Sequence, residues 1–511
     1  MSVMPFATVA EALSVGADTD VAFAAPDRQP MAYAELRAHM ARTVESLNAA
    51  GIGRGDRVAI VLPNGPEMAS AFLSVAAGAT TAPLNPAYRA EEFEFYLSDL
   101  NAKALVVEAG STSPAVAVAA KLRIPLLELS VAADSPAGAF TLAPQVPASA
   151  PAANGGLAGP DDIALVLHTS GTTSRPKIVP LTHRNVTASA RHIGQTLSLT
   201  PADRCLNIMP LFHIHGLIAA VLSSVAAGGS VYVTPGFNAL KFFAWLDEAR
   251  PSWYTAVPTM HQAILARAER NPASVQGANL RFIRSSSASL PPQVMGKLEE
   301  TFRCPVIESY GMTEAAHQMA SNQLPPGQRK PGHVGVAAGP EVAIMAADGT
   351  LLPQGAEGEV VIRGPNVTPG YENNPKANAE NFTNGWFRTG DQGVMDADGF
   401  LRITGRIKEI INRGGEKVSP LEVDEVIMDH PAVQQVVTFA MSHDKLGEEV
   451  AAAVVLREGQ SADEATLRAF AAARLADFKV PRRIVVLEEI PKGATGKLQR
   501  IGLAQKLGLG G

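Results

Sequence analysis

A chain of 511 residues, 46% hydrophobic and 18% charged with a formal net charge of -6, exceeds the ~250–300 residues at which single cores stop growing, so at least two domains are expected. The mildly acidic balance argues against nucleic acid or an anionic membrane as partner and leaves small molecules. Two cysteines, Cys205 and Cys304, without a CxxC companion, suggest neither a disulfide framework nor a zinc knuckle.

The N-terminus has no basic region before its apolar residues, and the longest apolar run, residues 217–227, falls short of the ~20 residues of a membrane span. The expectation is a cytoplasmic protein, monomer or homodimer, with no membrane insertion. Up to about Ser130, helical stretches alternate with short strands. Residues 31–49 read as an amphipathic helix and 57–62 as a strand, the patterning of an α/β fold. GIGRGD at 51–56 precedes a strand where a dinucleotide fingerprint would follow one, so it reads as a turn. The Pro/Ala/Gly/Ser tract at 132–160 reads as a surface connection.

Residues 163–167 predict a buried strand, followed by HTSGTTSRPK at 168–177 and a helix N-cap at Thr182, so the intervening segment is expected to be a loop between a strand and a helix. Six of those ten residues are Ser, Thr or Gly, beside Arg175 and Lys177. Converging amides, hydroxyls and fixed positive charge suit phosphate, although composition alone fits a solvated loop equally well. No Gly-Lys pair is followed by Ser or Thr, which removes the Walker-type reading.

In MPLFHIHGL, 209–217, His213 and His215 lie on one side if the segment is extended. They read as a metal pair or as pocket or core histidines, with no third ligand nearby. LRFIRSSSASL, 280–290, predicts a strand entering a polar loop. VIESYGMTE, 306–314, predicts a strand ending in a Gly turn that presents Tyr310, Thr313 and Glu314. That set can stack a base and hold Mg²⁺ beside phosphates, or it is a strand end with a solvated acid. Residues 332–371 read as a β subdomain. In GWFRTGD, 385–391, Asp391 is a ribose-diol acceptor or a turn aspartate. Residues 400–420 read as a hairpin-like segment turning at Gly414-Gly415, followed by a capping box on Ser419 and Glu422 with Pro420 at the first helical position. Helix, strand (433–440), strand (450–456), helix (463–475) and strand (483–487) then make a small α+β unit. Lys497, after a Thr-Gly turn, is an ammonium able to reach out of that unit or a solubilising surface lysine.

TSGTTSRPK, YGMTE, WFRTGD, GRIKEIINRGG and PKGATGK together resemble, in order and across nearly the whole chain, the acyl-adenylate-forming family of acyl-CoA synthetases, luciferases and adenylation domains. The resemblance implies a large multi-subdomain α/β N-terminal domain with a β subdomain, residues 1–406, and a small mobile α+β C-terminal domain, 407–511. It implies ATP, Mg²⁺ and coenzyme A, and two half-reactions. By the same resemblance, Thr169, Ser170, Gly171, Thr172, Thr173 and Lys177 would hold the β- and γ-phosphates, and Tyr310 would stack on adenine with Ala288 and Ser309. Thr313 and Glu314 would manage the α-phosphate and the metal, and Asp391 and Arg406 the ribose hydroxyls. Lys497 would bridge the attacking carboxylate and the α-phosphate, with His213 a further catalytic candidate. Lys408 would sit at the hinge, and Gly414 and Gly415 along the pantetheine. Ser174 and Ile178 stand where many members of the family carry glycine.

HTSGTTSRPK with its serine, MPLFHIHGL, RSSSASL and INRGGEKVSP resemble one branch in particular, the oxalate CoA ligases. The hydroxyls agree, because a second carboxylate taken out of water must be hydrogen-bonded; His215, Ser285, Ser286 and Ser287 are the candidates. Malonate, short- or medium-chain fatty acids and aryl acids are alternatives on the same fold. An amino-acid-loading adenylation domain would want an aspartate in 209–217, where none occurs. A non-catalytic nucleotide-binding relative would have no need of Lys497 and Glu314.

Overall fold

The computed structural model describes residues 6–169, 176–491 and 498–509. Aliphatic, β-branched runs such as RVAIV, ALVVE and IALVLH form the strands Arg57–Val61, Ala104–Glu108 and Ile163–His168, buried on both faces as parallel strands between helical layers require. They belong to a seven-stranded sheet in the order Thr141–Pro144, Leu126–Ser130, Ala104–Glu108, Arg57–Val61, Thr80–Pro83, Ile163–His168, Ile178–Thr182. Its interior is parallel and each edge pair is antiparallel. A nine-stranded sheet contains, as neighbours, Ser230–Val233, Arg204–Asn207, Trp253–Ala256, Phe282–Ser285 and Val306–Met312, all parallel, then His317–Ser321 antiparallel.

One core fills the space between these sheets, with Phe23, Phe72, Trp253 and Phe282 among its members. The outer faces carry separate clusters. A five-stranded antiparallel sheet follows, built on Glu341–Met345, Glu357–Arg363 and Trp386–Met395 and closed by Leu401–Arg406. After four intervening residues Ile411–Arg413 opens the last sheet, with Glu416–Val418, Gly447–Leu456, Val433–His443 and Arg483–Val486, backed by Pro420–Met428 and Glu464–Ala472. No helix among the described residues is long and apolar enough to cross a membrane.

Several local expectations change. The Ser/Thr-rich segment joins two antiparallel strands, Ile163–His168 and Ile178–Thr182, instead of a strand and a helix. The helix His183–Thr196 starts directly from the second strand, with Thr182 as its N-cap. The 209–217 segment is not extended: it turns into a π-helix, His215–Leu222, so the two histidines do not share a strand face. Strand Val306–Met312 runs through Gly311 before a 3₁₀ turn, Thr313–Ala315. Residues 132–160 include the edge strand Thr141–Pro144. Ser419 caps its helix by accepting from Glu422 N, while the Glu422 carboxylate pairs with Lys479 at 2.6 Å in place of a reciprocal bond.

Trp253 and Phe282 stack on adjacent parallel strands, ring centroids 5.3 Å apart and both fully buried. Phe282→Ala should therefore destabilise the N-terminal domain by about 3–5 kcal/mol. The expected result is a lower urea midpoint followed by circular dichroism; an unchanged midpoint would contradict this packing.

Candidate active site

The carboxyl ends of the central parallel strands, where ligands settle in open α/β sheets, bring most of the candidate residues together. Val306–Met312 delivers Ser309 and Tyr310, and the 3₁₀ turn after it delivers Thr313 and Glu314. Tyr310 donates its hydroxyl to Asp391 Oδ2, and Arg406 Nε donates to Asp391 Oδ1 at 2.9 Å. Asp391 and Arg406 are partners in register on neighbouring strands. The Asp391 carboxylate lifts both the Arg406 and Tyr310 pKa values above their ordinary range, reinforced for Tyr310 by burial, which is the larger cause there.

Glu314 is buried, and its Oε1 accepts from the Tyr371 hydroxyl at 2.7 Å. Burial raises its pKa, while Tyr371, Arg406 and Lys177 oppose the rise. Lys177 lies with its ammonium 4.4 Å from the Tyr371 ring centroid, a cation–π contact. Burial and nearby Lys408 lower its pKa, against Glu314 and Glu380. Lys177, Lys408, Arg406 and Glu314 thus form one electrostatic neighbourhood. Thr169 and Lys177 close the base of the Ser/Thr segment, Thr169 N donating to Lys177 O at 2.9 Å and Lys177 N to Thr169 Oγ1 at 3.0 Å. Ser170, Gly171, Thr172, Thr173 and Ser174 lie outside the described residues, as does Lys497.

A second, buried group lies on the inner face of the same strands. His215 hydrogen-bonds Thr255 Oγ1 through Nε2 at 2.6 Å and Ser287 Oγ through Nδ1 at 3.1 Å, and its ring lies 4.9 Å from that of His317. Of the three candidate serines only Ser287 reaches His215. Ser286 Oγ donates to Ser309 O at 2.9 Å, and Ser285, in phase with Ile283, falls on the opposite face. Ala288 is exposed, one residue beyond Ser287. His213, half-buried, accepts from His215 N at 3.5 Å.

Thr255, Arg284 and His317 were not singled out from sequence. Arg284 is fully buried, and burial pushes its pKa down to about 9. Residues 316 and 317 depart from ordinary backbone, Ala316 at φ 47 and His317 at φ 100, which is unusual for side chains with a Cβ. The turn is tight: a Cβ on Gly311 would meet His317 O at 1.9 Å.

Lys408 is exposed between the last two sheets. Gly414 and Gly415, at φ 60 and 100, turn the hairpin beyond it. Arg500, three positions after Lys497, is held by Asp424 at 2.7 Å, by Glu409 at 3.5 Å and by donation to Thr438 O at 2.9 Å. The C-terminal domain touches the large one through Gln262 Nε2 donating to Gln434 O at 3.2 Å and through Gln293 and Asp429. An open, mostly apolar cleft of about 500 Å³ lies on the large domain between Asn64, Tyr88, Pro210, Phe212, Phe237 and Met260.

The chain matches the family model for AMP-binding enzyme over residues 12–372 and that for AMP-binding enzyme C-terminal domain over 422–497. It is 48% identical to an oxalate–CoA ligase of Arabidopsis thaliana, covering 89% of each chain. It is 44% identical to an oxalate–CoA ligase of Saccharomyces cerevisiae, covering 88% of this chain and 87% of that one. Among solved structures it resembles ATP-bound MatB from Rhodopseudomonas palustris at TM-score 0.86, 30% identity and 98% coverage of both chains. The apo form of MatB matches at TM-score 0.77.

The hydroxyl of Tyr371 holds the Glu314 carboxyl below the pKa that burial would otherwise give it. Tyr371→Phe should raise that pKa further, so with the carboxylate as the working form, activity is lost at a higher pH as the solution is acidified. The acid limb of the kcat/KM profile is expected to move up and the alkaline limb to stay; an unmoved acid limb would contradict the assignment.

Proposed function

The chain belongs to the AMP-binding enzyme family, and from that premise we propose that it is an ATP-dependent oxalate–CoA ligase, converting oxalate, ATP and coenzyme A to oxalyl-CoA, AMP and diphosphate. The observation that carries the choice of acid is the hydrogen-bonded set Thr255–His215–Ser287. It lies buried at the same strand ends as Ser309 and Tyr310, where a hydrophobic acid would need apolar walls. The similarity to two oxalate–CoA ligases supports the same choice.

In the first half-reaction one oxalate carboxylate oxygen attacks the α-phosphorus of ATP, and the bond to the diphosphate leaving group breaks. Both reactants are anions, so preorganised positive charge must offset their approach. Thr169, Lys177 and the segment from Ser170 to Thr173 are assigned to the β- and γ-phosphates. Tyr310 and Ser309, with Ala288, are assigned to adenine, and Asp391 and Arg406 to the ribose. The donors fit that role: a carboxylate offers about four acceptor sites, so Asp391 retains capacity beyond Tyr310 and Arg406. Thr313 and Glu314 would hold Mg²⁺, which supplies charge neutralisation at the phosphates, and a single carboxylate suits an ion that takes most of its ligands from phosphate and water. Lys497 is assigned to bridge the attacking carboxylate and the α-phosphate.

In the second half-reaction the thiolate of coenzyme A attacks the oxalyl carbonyl carbon and AMP leaves with the mixed-anhydride oxygen. The thiol needs the approach that Lys497 occupies during adenylation. The domain boundary is placed at 406/407, and rotation about Lys408 would withdraw Lys497 and bring Gly414 and Gly415 beside the pantetheine, where missing side chains leave room.

ATP-dependent diphosphate release across a panel of carboxylic acids tests the acid. Oxalate is expected to have the highest kcat/KM, and a preference for malonate, hexanoate or benzoate would overturn the proposal. Single-turnover assays test the rotation. Lys497→Ala should cripple oxalyl-adenylate formation and spare thioester formation from supplied adenylate, whereas Lys408→Pro, by stiffening the hinge, should do the reverse. Parallel losses in both steps would refute it.

A further inference from the structure

Among the described residues Arg284 is the only buried arginine or lysine, with 0% of its surface exposed. Strand alternation explains the placement. Phe282 and Arg284 share the inner face of the strand Phe282–Ser285, which looks into the core between the two large sheets. The guanidinium is poorly satisfied there. Its Nη2 makes two long contacts, 3.5 Å to His317 Nδ1 and 3.3 Å to Gln318 Oε1, while Nε and Nη1 have no hydrogen-bond partner. Its ionisable neighbours are the His317 ring and the Cys205 thiol, which burial keeps protonated, and neither is an anion. A buried cation without an anion is costly, and removing one partner of such a pair is what makes it so. The chemistry calls for an anion that the described residues do not supply.

Three features point to the side on which His215 and Ser287 lie. A guanidinium only donates, so its contact makes His317 Nδ1 the acceptor and leaves the proton of a neutral ring on Nε2. The His317 ring in turn lies against His215, which is bonded to Ser287. The segments flanking Arg284 carry unusual backbone, Ser287 at φ 75, Ala316 at φ 47 and His317 at φ 100, and strain of this kind gathers at ligand sites. The group also has an outlet, because Ser287 is half-buried and Ala288 exposed, at the strand ends where Tyr310 lies.

We propose that Arg284 is the specificity-determining cation of the acid site. Its charge balances the carboxylate that does not react, so the enzyme selects small acids carrying two adjacent negative charges over monoanions of the same shape. His317 is oriented by the same guanidinium and acts as a positioning residue. The inference rests on the acid–CoA ligase reading above and adds the origin of selectivity for a dianion.

Oxalate and oxamate have nearly the same size and differ in charge, which makes them the test pair. Their affinities for the full-length enzyme are measured by competitive inhibition of diphosphate release and by calorimetry with a non-hydrolysable ATP analogue. Wild type is expected to favour oxalate by at least about 30-fold, the lower end of what loss of a buried charge partner costs. Arg284→Met should bring the two ligands within about 3-fold of each other, chiefly by weakening oxalate. ATP-analogue affinity and the urea midpoint report whether each variant is folded. In an enzyme that turns over oxalate, a wild-type ratio below about 3-fold overturns the proposal without any variant, and so does a folded Arg284→Met enzyme that keeps its preference. If the enzyme ignores oxalate yet separates malonate from malonamate in an Arg284-dependent way, the oxalate reading fails and the Arg284 inference stands.

Discussion

Asp391 is the junction on which the geometry of the site depends. Its buried carboxylate accepts the Tyr310 hydroxyl from the nine-stranded sheet and the Arg406 guanidinium from the last strand before the C-terminal domain. A carboxylate at 6% exposure would be unfavourable without both donors. With both, it fixes the antiparallel sheet against the large parallel one and sets the point from which the last sheet departs. The register pairing of Asp391 with Arg406 makes this contact a property of the ladder and not of two flexible side chains.

Around that junction, charge is distributed at two depths. Lys177, Lys408 and Arg406 gather near Glu314 and Tyr371 toward the surface. Arg284 lies beneath, in the core, behind His317 and His215. The first group suits a polyphosphate, which arrives with counterions and leaves again, so half-exposed cations suffice. The second suits a small acid stripped of water, for which a buried charge is far more effective than an exposed one. On the proposed assignment a strand-end location lets both poles address one bond, with the acid on the core side and the nucleotide on the side of Lys177 and Arg406.

Much of this was legible in the sequence, for reasons that can be named. Buried parallel strands announce themselves as unbroken aliphatic runs, and Thr182, Ser419 and Pro420 mark helix starts through chemistry confined to a few adjacent residues. Ile178–Thr182 escaped because Pro180 reads as a loop signal, yet the strand lies at a sheet edge where proline is tolerated. An apolar helix after 209–217 was legible, but its start at His215 and its π turn escaped because a uniformly apolar run carries no period from which to count its turn. The buried polar set was half legible. RSSSASL drew attention to three serines, but period-two alternation puts Arg284 on the core face with Phe282 and Ser285 off it. His317 carried no local signal; its position follows from a hairpin tight enough that Gly311 must lack a side chain.

The central claim is that the acid completes a buried site which the described residues leave short of negative charge. A crystal structure of the enzyme with oxalate and a non-hydrolysable ATP analogue tests it most directly. One carboxylate is expected to face the α-phosphate and the other to lie beside Ser287 and His215, within ion-pair distance of the Arg284 guanidinium. Oxalate bound with its distal carboxylate in solvent, or Arg284 still lacking an anionic neighbour in the ternary complex, would contradict the account.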